Sequence, residues 1–265
     1  MTFSFVSRNP LLEEPGKRQK DDSGTIKFDM HVHSFYSGDA ITDVKIIVRS
    51  WEKTGILPLV CDHDSIKGSE KVYAAIRRSD PDIPLILAEE ILTSDGEIIG
   101  AFLNEEIPPG LRADETLDII EDQGALSIVP HPFCTFRSTA IDREVLNEIS
   151  GRVNVIEGYN ARTPDADENH MGRVFAKRCG KPVSVGSDAH TLVELARNYT
   201  IVDEFSTPRE LLRGLRSAGI CFRPAPQEVN EFTIMLKQML RENGMKNNFH
   251  SNIGTLLSTA GIIKP

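Results

Sequence analysis

Strand-length apolar runs recur along this chain, at residues 26–30, 57–61, 85–90, 126–130, 153–157, 182–186 and 199–202, and most are followed by a segment of helical period. They show no clear period of two, as expected of strands covered on both faces. The amphipathic segments between them are 42–52, 67–79, 114–122, 142–149, 165–178 and 207–218. Several open on Thr or Asp, and three close near Gly55, Gly180 and Gly219. Strand and helix therefore alternate, which leaves two architectures: a closed barrel or an open doubly wound sheet. Residues 98–103 break the alternation. They follow the run at 85–90 after Thr93-Ser94-Asp95-Gly96, a turn cluster that predicts a hairpin.

The ends of these runs narrow the chemistry. Of seven histidines, five come directly after an expected strand. In Asp29-Met30-His31-Val32-His33 the period of two turns both imidazoles to one side, so a single metal ion can take both. Val60-Cys61-Asp62-His63-Asp64, Ala88-Glu89-Glu90, Ile128-Val129-Pro130-His131-Pro132 and Val185-Gly186-Ser187-Asp188-Ala189-His190 end four further runs. Parallel α/β proteins bind ligands at the carboxyl ends of their strands, so the five clusters are expected on one rim. One such His alone is more often a hydrogen-bonded core or capping residue. Five clusters rich in imidazole and carboxylate read together as a metal site.

Composition closes other routes. The chain has 30 Lys and Arg against 39 Asp and Glu, a net charge of −9 that argues against binding nucleic acid or anionic membrane through an overall field. No run approaches the roughly 20 apolar residues of a membrane span. Four cysteines without C-x-x-C spacing read as the reduced thiols of a cytoplasmic protein. There is no G-x-S-x-G and no Walker-type motif, so a serine nucleophile and a nucleotide-triphosphate cradle lack support.

Taken in order, Asp29-x-His31-x-His33-Ser34, Asp62-His63-Asp64, Glu90, His131-Pro132 and Gly186-Ser187-Asp188-Ala189-His190 resemble the motifs of the PHP (polymerase and histidinol phosphatase) superfamily of metal-dependent phosphoesterases. The resemblance spans residues 28–225. It implies a distorted (β/α)7 barrel with two or three divalent metal ions, Mn, Fe, Zn or Mg, at the C-terminal ends of the strands. It also implies that His31, His33, Glu90 and Asp188 ligate one ion, that Glu90 bridges to a second, and that Asp39, His63, His131 and His190 complete the neighbouring positions. In one place the chain departs from the family: Glu97 precedes Ile98-Ile99-Gly100, where many relatives place a His. As a ligand, a carboxylate there suits Mn²⁺ or Mg²⁺ better than Zn²⁺; otherwise it is a strand-edge charge.

Paired metal ions clamp phosphate oxygens, bring a bound water to ionisation near neutral pH and offset charge on the leaving oxygen, so no side-chain nucleophile is needed. The expected activity is hydrolysis of a phosphomonoester, or of a short nucleotide or oligonucleotide phosphodiester, by metal-bound hydroxide, with Asp64 or His190 protonating the leaving group. Arg137 and Arg162, on loops after two of the strands, are the expected phosphate contacts, with Arg197 and Lys67 behind them. Phe133, Phe136 and Tyr159 either stack on a base or sugar or simply pack their loops. His170 and His250 read as surface residues. Two other readings stand beside this one: a catalytically degenerate PHP module with a structural or regulatory role, and metal-assisted hydrolysis of a C–N bond. The expected organisation is a tail at 1–25, the catalytic domain at 26–225 and a helical extension at 226–265, with no membrane partner. The sequence does not specify an oligomeric state.

Overall fold

The computed structural model describes residues 24–226 together with 228–229, 231–233 and 235. In chain order the elements are β1 (Thr25–Val32), α1 (Val44–Thr54), β2 (Ile56–Val60), β3 (Asp62–His63), α2 (Lys67–Ser79), β4 (Ala88–Thr93), β5 (Gly96–Ala101), α3 (Ala113–Asp122), β6 (Leu126–Val129), α4 (Arg143–Ile149), β7 (Val155–Asn160), α5 (Ala166–Arg178), β8 (Val183–Gly186), β9 (Tyr199–Asp203), α6 (Pro208–Gly214) and β10 (Gly219–Cys221). Four of these six helices begin where the sequence supplies an acceptor for the open N–H groups of the first turn. Asp43, Asp142 and Asp165 each accept from that turn, and Thr207 forms a capping box with Glu210.

Six strands form a curled sheet in the order β3-β4-β5-β6-β7-β8, and four form a second in the order β10-β9-β1-β2. The two sheets meet at the carboxyl end of β1. The Cys61 amide donates to Val32 O at 3.0 Å, the Asp188 amide to His31 O at 2.8 Å and the His33 amide to Ala189 O at 2.9 Å. The chain is thus a distorted barrel, closed at the rim where its parallel strands end.

Two strands run against the rest. β5 pairs antiparallel with both β4 and β6 after a tight turn at Ser94 and Asp95, the hairpin that the turn cluster predicts. β9, expected as a seventh parallel strand, is antiparallel to β1. Residues 187–198 carry no helix to return the chain to the far end of the barrel, so the strand that follows runs back down it.

Ile99, Ile128 and Val155 share one apolar cluster with Phe28, Met30 and Leu59, while their neighbours Ile98, Val129 and Ile156 meet Leu117, Leu146 and Phe175 from α3, α4 and α5 in another. Each such buried side chain contributes about 1.5–3 kcal/mol. Both faces of β6 and β7 are covered, which explains the missing period of two. The expected tail and extension fall largely outside the described residues; those described between 228 and 235 are helical. Among the described residues, no helix is long and apolar enough to cross a membrane.

Candidate metal centre

The strand-end clusters meet at the rim, and three of them turn there through strained backbone. Asp64, His131 and Asp188 have φ of 50°, 30° and 51°, a left-handed conformation that costs a non-glycine residue about 1–3 kcal/mol. At His131 and Asp188 the turn aims the side chain at the other ligands. Asp64 instead accepts from the Leu92 amide at 2.8 Å. This expected proton donor serves the backbone of β4 and stands apart from the His and carboxylate groups.

Four atoms, from β1 and the residue just past it, from β4 and from the turn after β8, converge on one point. His31 Nε2 near the end of β1 and His33 Nε2 just past it, turned to one side as the spacing predicts, lie 3.0 Å from each other. Glu90 Oε2 is 3.5 and 3.3 Å from them, and Asp188 Oδ1 is 3.7 and 3.5 Å away. All four side chains are at most 1% exposed. Ligands about 2.0–2.2 Å from a common ion sit about 3.0–3.5 Å from one another, so this spacing suits a cation. The rings are also held in the right tautomer. His31 Nδ1 donates to Glu157 Oε1 at 3.1 Å, because a carboxylate can only accept. His33 Nδ1 donates at 2.7 Å to Ser37 Oγ, whose own proton goes to Asp62 Oδ1 at 2.8 Å. Both Nε2 atoms are left facing the same gap, toward Glu90 Oε2 and Asp188 Oδ1, two buried oxygens with no hydrogen-bond partner.

Glu90 extends the cluster. Its Oε2 is 3.2 Å from His63 Nδ1 and its Oε1 is 3.2 Å from His131 Nε2, so one carboxylate faces four imidazoles. Glu97 comes within 3.7 Å of His63 Nδ1 and 3.6 Å of His131 Nε2 and is buried, so it is not a strand-edge charge. On the other side, Asp39 Oδ2 lies 3.4 Å from both His63 Nε2 and His190 Nε2. His190 Nδ1 donates to Asp188 O at 2.8 Å, which points its buried Nε2 lone pair toward Asp39.

The electrostatics favour added positive charge. Asp39, Glu90, Glu97, Glu157 and Asp188 are brought close together, with Arg137 the guanidinium paired to Asp188. Burial holds His33 down to about 4 and, helped by the Arg162 charge, His190 down to about 3, so both present neutral nitrogen at pH 7. Burial alone would raise Asp188 and Glu90, but Arg137 and His31 hold the first, and His31 and His63 the second, well below the usual carboxylate range. Burial and then the Glu90 charge raise Glu97. Buried carboxylates in this number need cationic partners, and mixed imidazole and carboxylate donors suit divalent ions.

The solvent-facing side of the cluster is marked by His63, Asp39 and Arg137, whose side chains keep 25%, 19% and 18% of their surface. Arg137, an expected phosphate contact, pairs with Asp188 Oδ2. Arg162, the other, is buried: its Nε is 3.5 Å from Glu194 Oε1 and its Nη2 bonds Thr233 Oγ1. Lys67 and His170 are exposed, Arg197 is half-buried, and His250 lies outside the described residues. Of the aromatics, Phe133 packs on Phe175 with centroids 5.8 Å apart, and Tyr159 packs on Phe222 under the Arg173 guanidinium. Phe136 is 66% exposed.

Sequence reasoning missed the residues behind the ligands. Glu157 Oε2 accepts from the His131 amide at 2.7 Å and from Asn160 Nδ2 at 3.0 Å, and Asn160 Nδ2 also reaches Asp188 Oδ2 at 3.1 Å. Ser37 and Asp62 support His33, and Glu194 accepts from the His190 amide at 3.1 Å. Glu157 did carry a signal, since it ends an apolar run just as Glu90 does.

A family model described as PHP-associated matches residues 166–219. The uncharacterized protein MJ0417 of Methanocaldococcus jannaschii is 32% identical over 201 residues, covering 72% of this chain and 79% of its own length. A two-domain protein from Bacteroides vulgatus, containing a predicted PHP-like metal-dependent phosphoesterase, superposes with a TM-score of 0.62 at 18% identity, covering 80% of this chain and 69% of its own. An amidohydrolase from Chromobacterium violaceum, solved with bound sulfate and no metal, gives a TM-score of 0.54 at 18% identity, covering 76% of this chain and 99% of its own.

Proposed function

Because the chain belongs to the PHP superfamily, we propose that it is a divalent-metal-dependent phosphoric ester hydrolase acting on a phosphomonoester or a short nucleotide or oligonucleotide phosphodiester. One observation carries this reading: His31, His33, Glu90 and Asp188 converge on a buried point at ligand spacing, with both imidazoles held in the metal-binding tautomer. These four would hold one ion, Asp39, His63 and His190 a neighbouring one, and His131 joins Glu90 beside them. Ions in such sites ionise water near neutral pH and stabilise charge on phosphoryl oxygens.

The chain's own residues position and orient. Glu157 keeps the proton of His31 on Nδ1, and the Ser37–Asp62 pair does the same for His33. Arg137, partly open to solvent beside Asp188, offers a planar fork to an incoming phosphate. Of the two residues expected to protonate the leaving group, Asp64 is engaged by Leu92, and His190 has its Nδ1 proton committed to Asp188 O, which favours a ligand role. The degenerate-module reading has less support, because the ligand set is present and buried.

The test is turnover of p-nitrophenyl phosphate, bis-p-nitrophenyl phosphate and a nucleotide panel by metal-stripped protein, with and without Mn²⁺. Metal-dependent turnover that His33→Ala abolishes is expected. Protein that binds metal yet hydrolyses none of these would put the structural or regulatory reading in its place.

A further inference from the structure

We infer that the outward faces of α1 and α2, with the stacked Phe35 and Tyr36 at their rim end, bind a single strand of nucleic acid and lead it to the metal centre. This rests on reading the rim as a phosphoester-hydrolysing centre and narrows its substrate to a phosphodiester within such a strand.

Charge is unevenly spread over the helices. α1 and α2 carry seven Lys and Arg against Glu52 and Glu70, in a chain whose net charge is −9, whereas α3 has five carboxylates and no basic residue. On α1, Lys45 and Arg49 are exposed and Lys53 follows at the same spacing, a stripe with steps of about 6 Å. On α2, Lys67, Lys71, Arg77 and Arg78 are exposed. Elsewhere on the surface, Arg112 pairs with Asp114 at 2.7 Å and Arg152 with Asp118 at 2.6 Å. Among the described residues, Lys45, Arg49 and the four cations of α2 have no carboxylate within ion-pair distance. The overall field is negative, and this face is a local exception to it.

The two helices pack against each other and both begin where the metal centre opens. Asp39 and His63, two of its solvent-facing groups, precede α1 and α2 by a few residues. α2 starts so close to the rim that a Cβ on Gly68 would lie 2.5 Å from Ser34 Oγ. From Lys67 to Arg78 it runs about 16 Å, room for several nucleotides.

The loop between β1 and α1 adds aromatic surface. Phe35 and Tyr36 stack with centroids 4.2 Å apart and 29° between their planes, and both are half-buried. Asp62 fixes this loop: the Ser34 amide and Oγ donate to it at 2.6 and 2.7 Å, and Ser37 Oγ donates to it at 2.8 Å. A rigid aromatic pair beside a run of unpaired cations is the combination that holds unpaired bases and their phosphates without regard to sequence. A duplex keeps its bases stacked and paired, and a phosphomonoester is too short to reach along α2.

The experiment is fluorescence anisotropy of end-labelled oligo(dT) and oligo(rU), about 12 nucleotides long, with metal-free full-length protein, over about 50–200 mM salt. Double variants reverse charge on α1 (Lys45→Glu with Arg49→Glu), on α2 (Lys67→Glu with Lys71→Glu) and, as a control of equal net charge, on α6 (Arg209→Glu with Arg213→Glu). The wild type is expected to bind both strands, with log affinity falling on log salt at a slope of about −2 to −3. The α1 and α2 variants should each bind about tenfold or more weakly and flatten that slope by about 1, while the α6 variant matches the wild type. Tyr36→Ala should weaken binding by about 5–100-fold at an unchanged slope, and Tyr36→Trp should retain it. No binding by the wild type, equal losses on all three helices, or a duplex bound as tightly as a single strand would overturn the inference. So would a wild type that ignores the strands but runs as a larger species in gel filtration, dissociated by the α1 or α2 reversal, which would give this face to the acidic α3 of a second copy. Because binding is read without metal, strands that bind but are not cleaved on adding Mn²⁺ would overturn the proposed function alone. Turnover of p-nitrophenyl phosphate by protein that binds no strand would overturn this inference alone.

Discussion

A Cβ on Gly186 would stand 2.1 Å from Glu157 Oε1 and 2.4 Å from the His31 Cβ. Strand β8 therefore passes against the back of the metal centre with no room for a methyl group, and Glu157 reaches His31 because position 186 is glycine. Gly186→Ala should push Glu157 off His31 and destabilise the fold by about 1–3 kcal/mol. Thermal melts with and without Mn²⁺ check both effects: a lower Tm than wild type, and a smaller rise on adding metal.

Glu157 itself accepts three hydrogen bonds and donates none: from His31 Nδ1, from the His131 amide and from Asn160 Nδ2. In Glu157→Gln an amide NH₂ must face one of these donors whichever way it flips. Metal affinity is expected to fall by about 10–100-fold with helix content unchanged, measured by titration calorimetry and circular dichroism. Affinity equal to wild type would show that the His31 tautomer is set in some other way.

The residues that converge at the rim were legible in the sequence and their supports were not, for a physical reason. A metal needs rare residue types at fixed spacing, so His31 and His33, or Asp188 and His190, stand out against an apolar strand. The supports are Ser37, Asp62, Asn160 and Glu194, common residues whose role depends on partners far away in sequence, as when Asp62 meets Ser34 and Ser37. The alternation of strand and helix could be read from the runs, whereas the choice of a barrel came from the family resemblance and the direction of β9 could not be read at all. Nothing within residues 199–202 reveals that β9 is antiparallel; that follows from a helix missing upstream. Asp64 was expected at the centre because it follows His63, and a left-handed turn sends its side chain to Leu92 instead.

Metal uptake should release protons. Burial would lower His31 and His63, but Asp188 and the other nearby carboxylates hold His31 well above its ordinary value, and Glu90 and Asp39 push His63 up to about 10. In metal-free protein near pH 7 both rings are therefore protonated, and a cation must displace those protons. Affinity should rise with pH from 7 toward 10, by up to about tenfold per unit for each proton displaced. Titrations in buffers of different ionisation enthalpy check this; a heat independent of buffer would contradict it.

Arg137 pairs with Asp188 at the solvent-facing edge of the cluster. Arg137→Lys keeps the charge and loses the planar fork, so KM for a phosphoester should rise by about tenfold while bound metal stays the same. Arg137→Ala also leaves a buried Asp188 oxygen without its cation and should lower stability in a thermal melt. An unchanged KM in both variants would remove Arg137 from substrate binding.

The most direct test of the central claim is an anomalous difference map from crystals of this protein soaked in Mn²⁺. A strong peak about 2.0–2.3 Å from His31 Nε2, His33 Nε2, a Glu90 oxygen and Asp188 Oδ1 is the expected result. A map with Mn²⁺ bound elsewhere and no peak among these four atoms would contradict it.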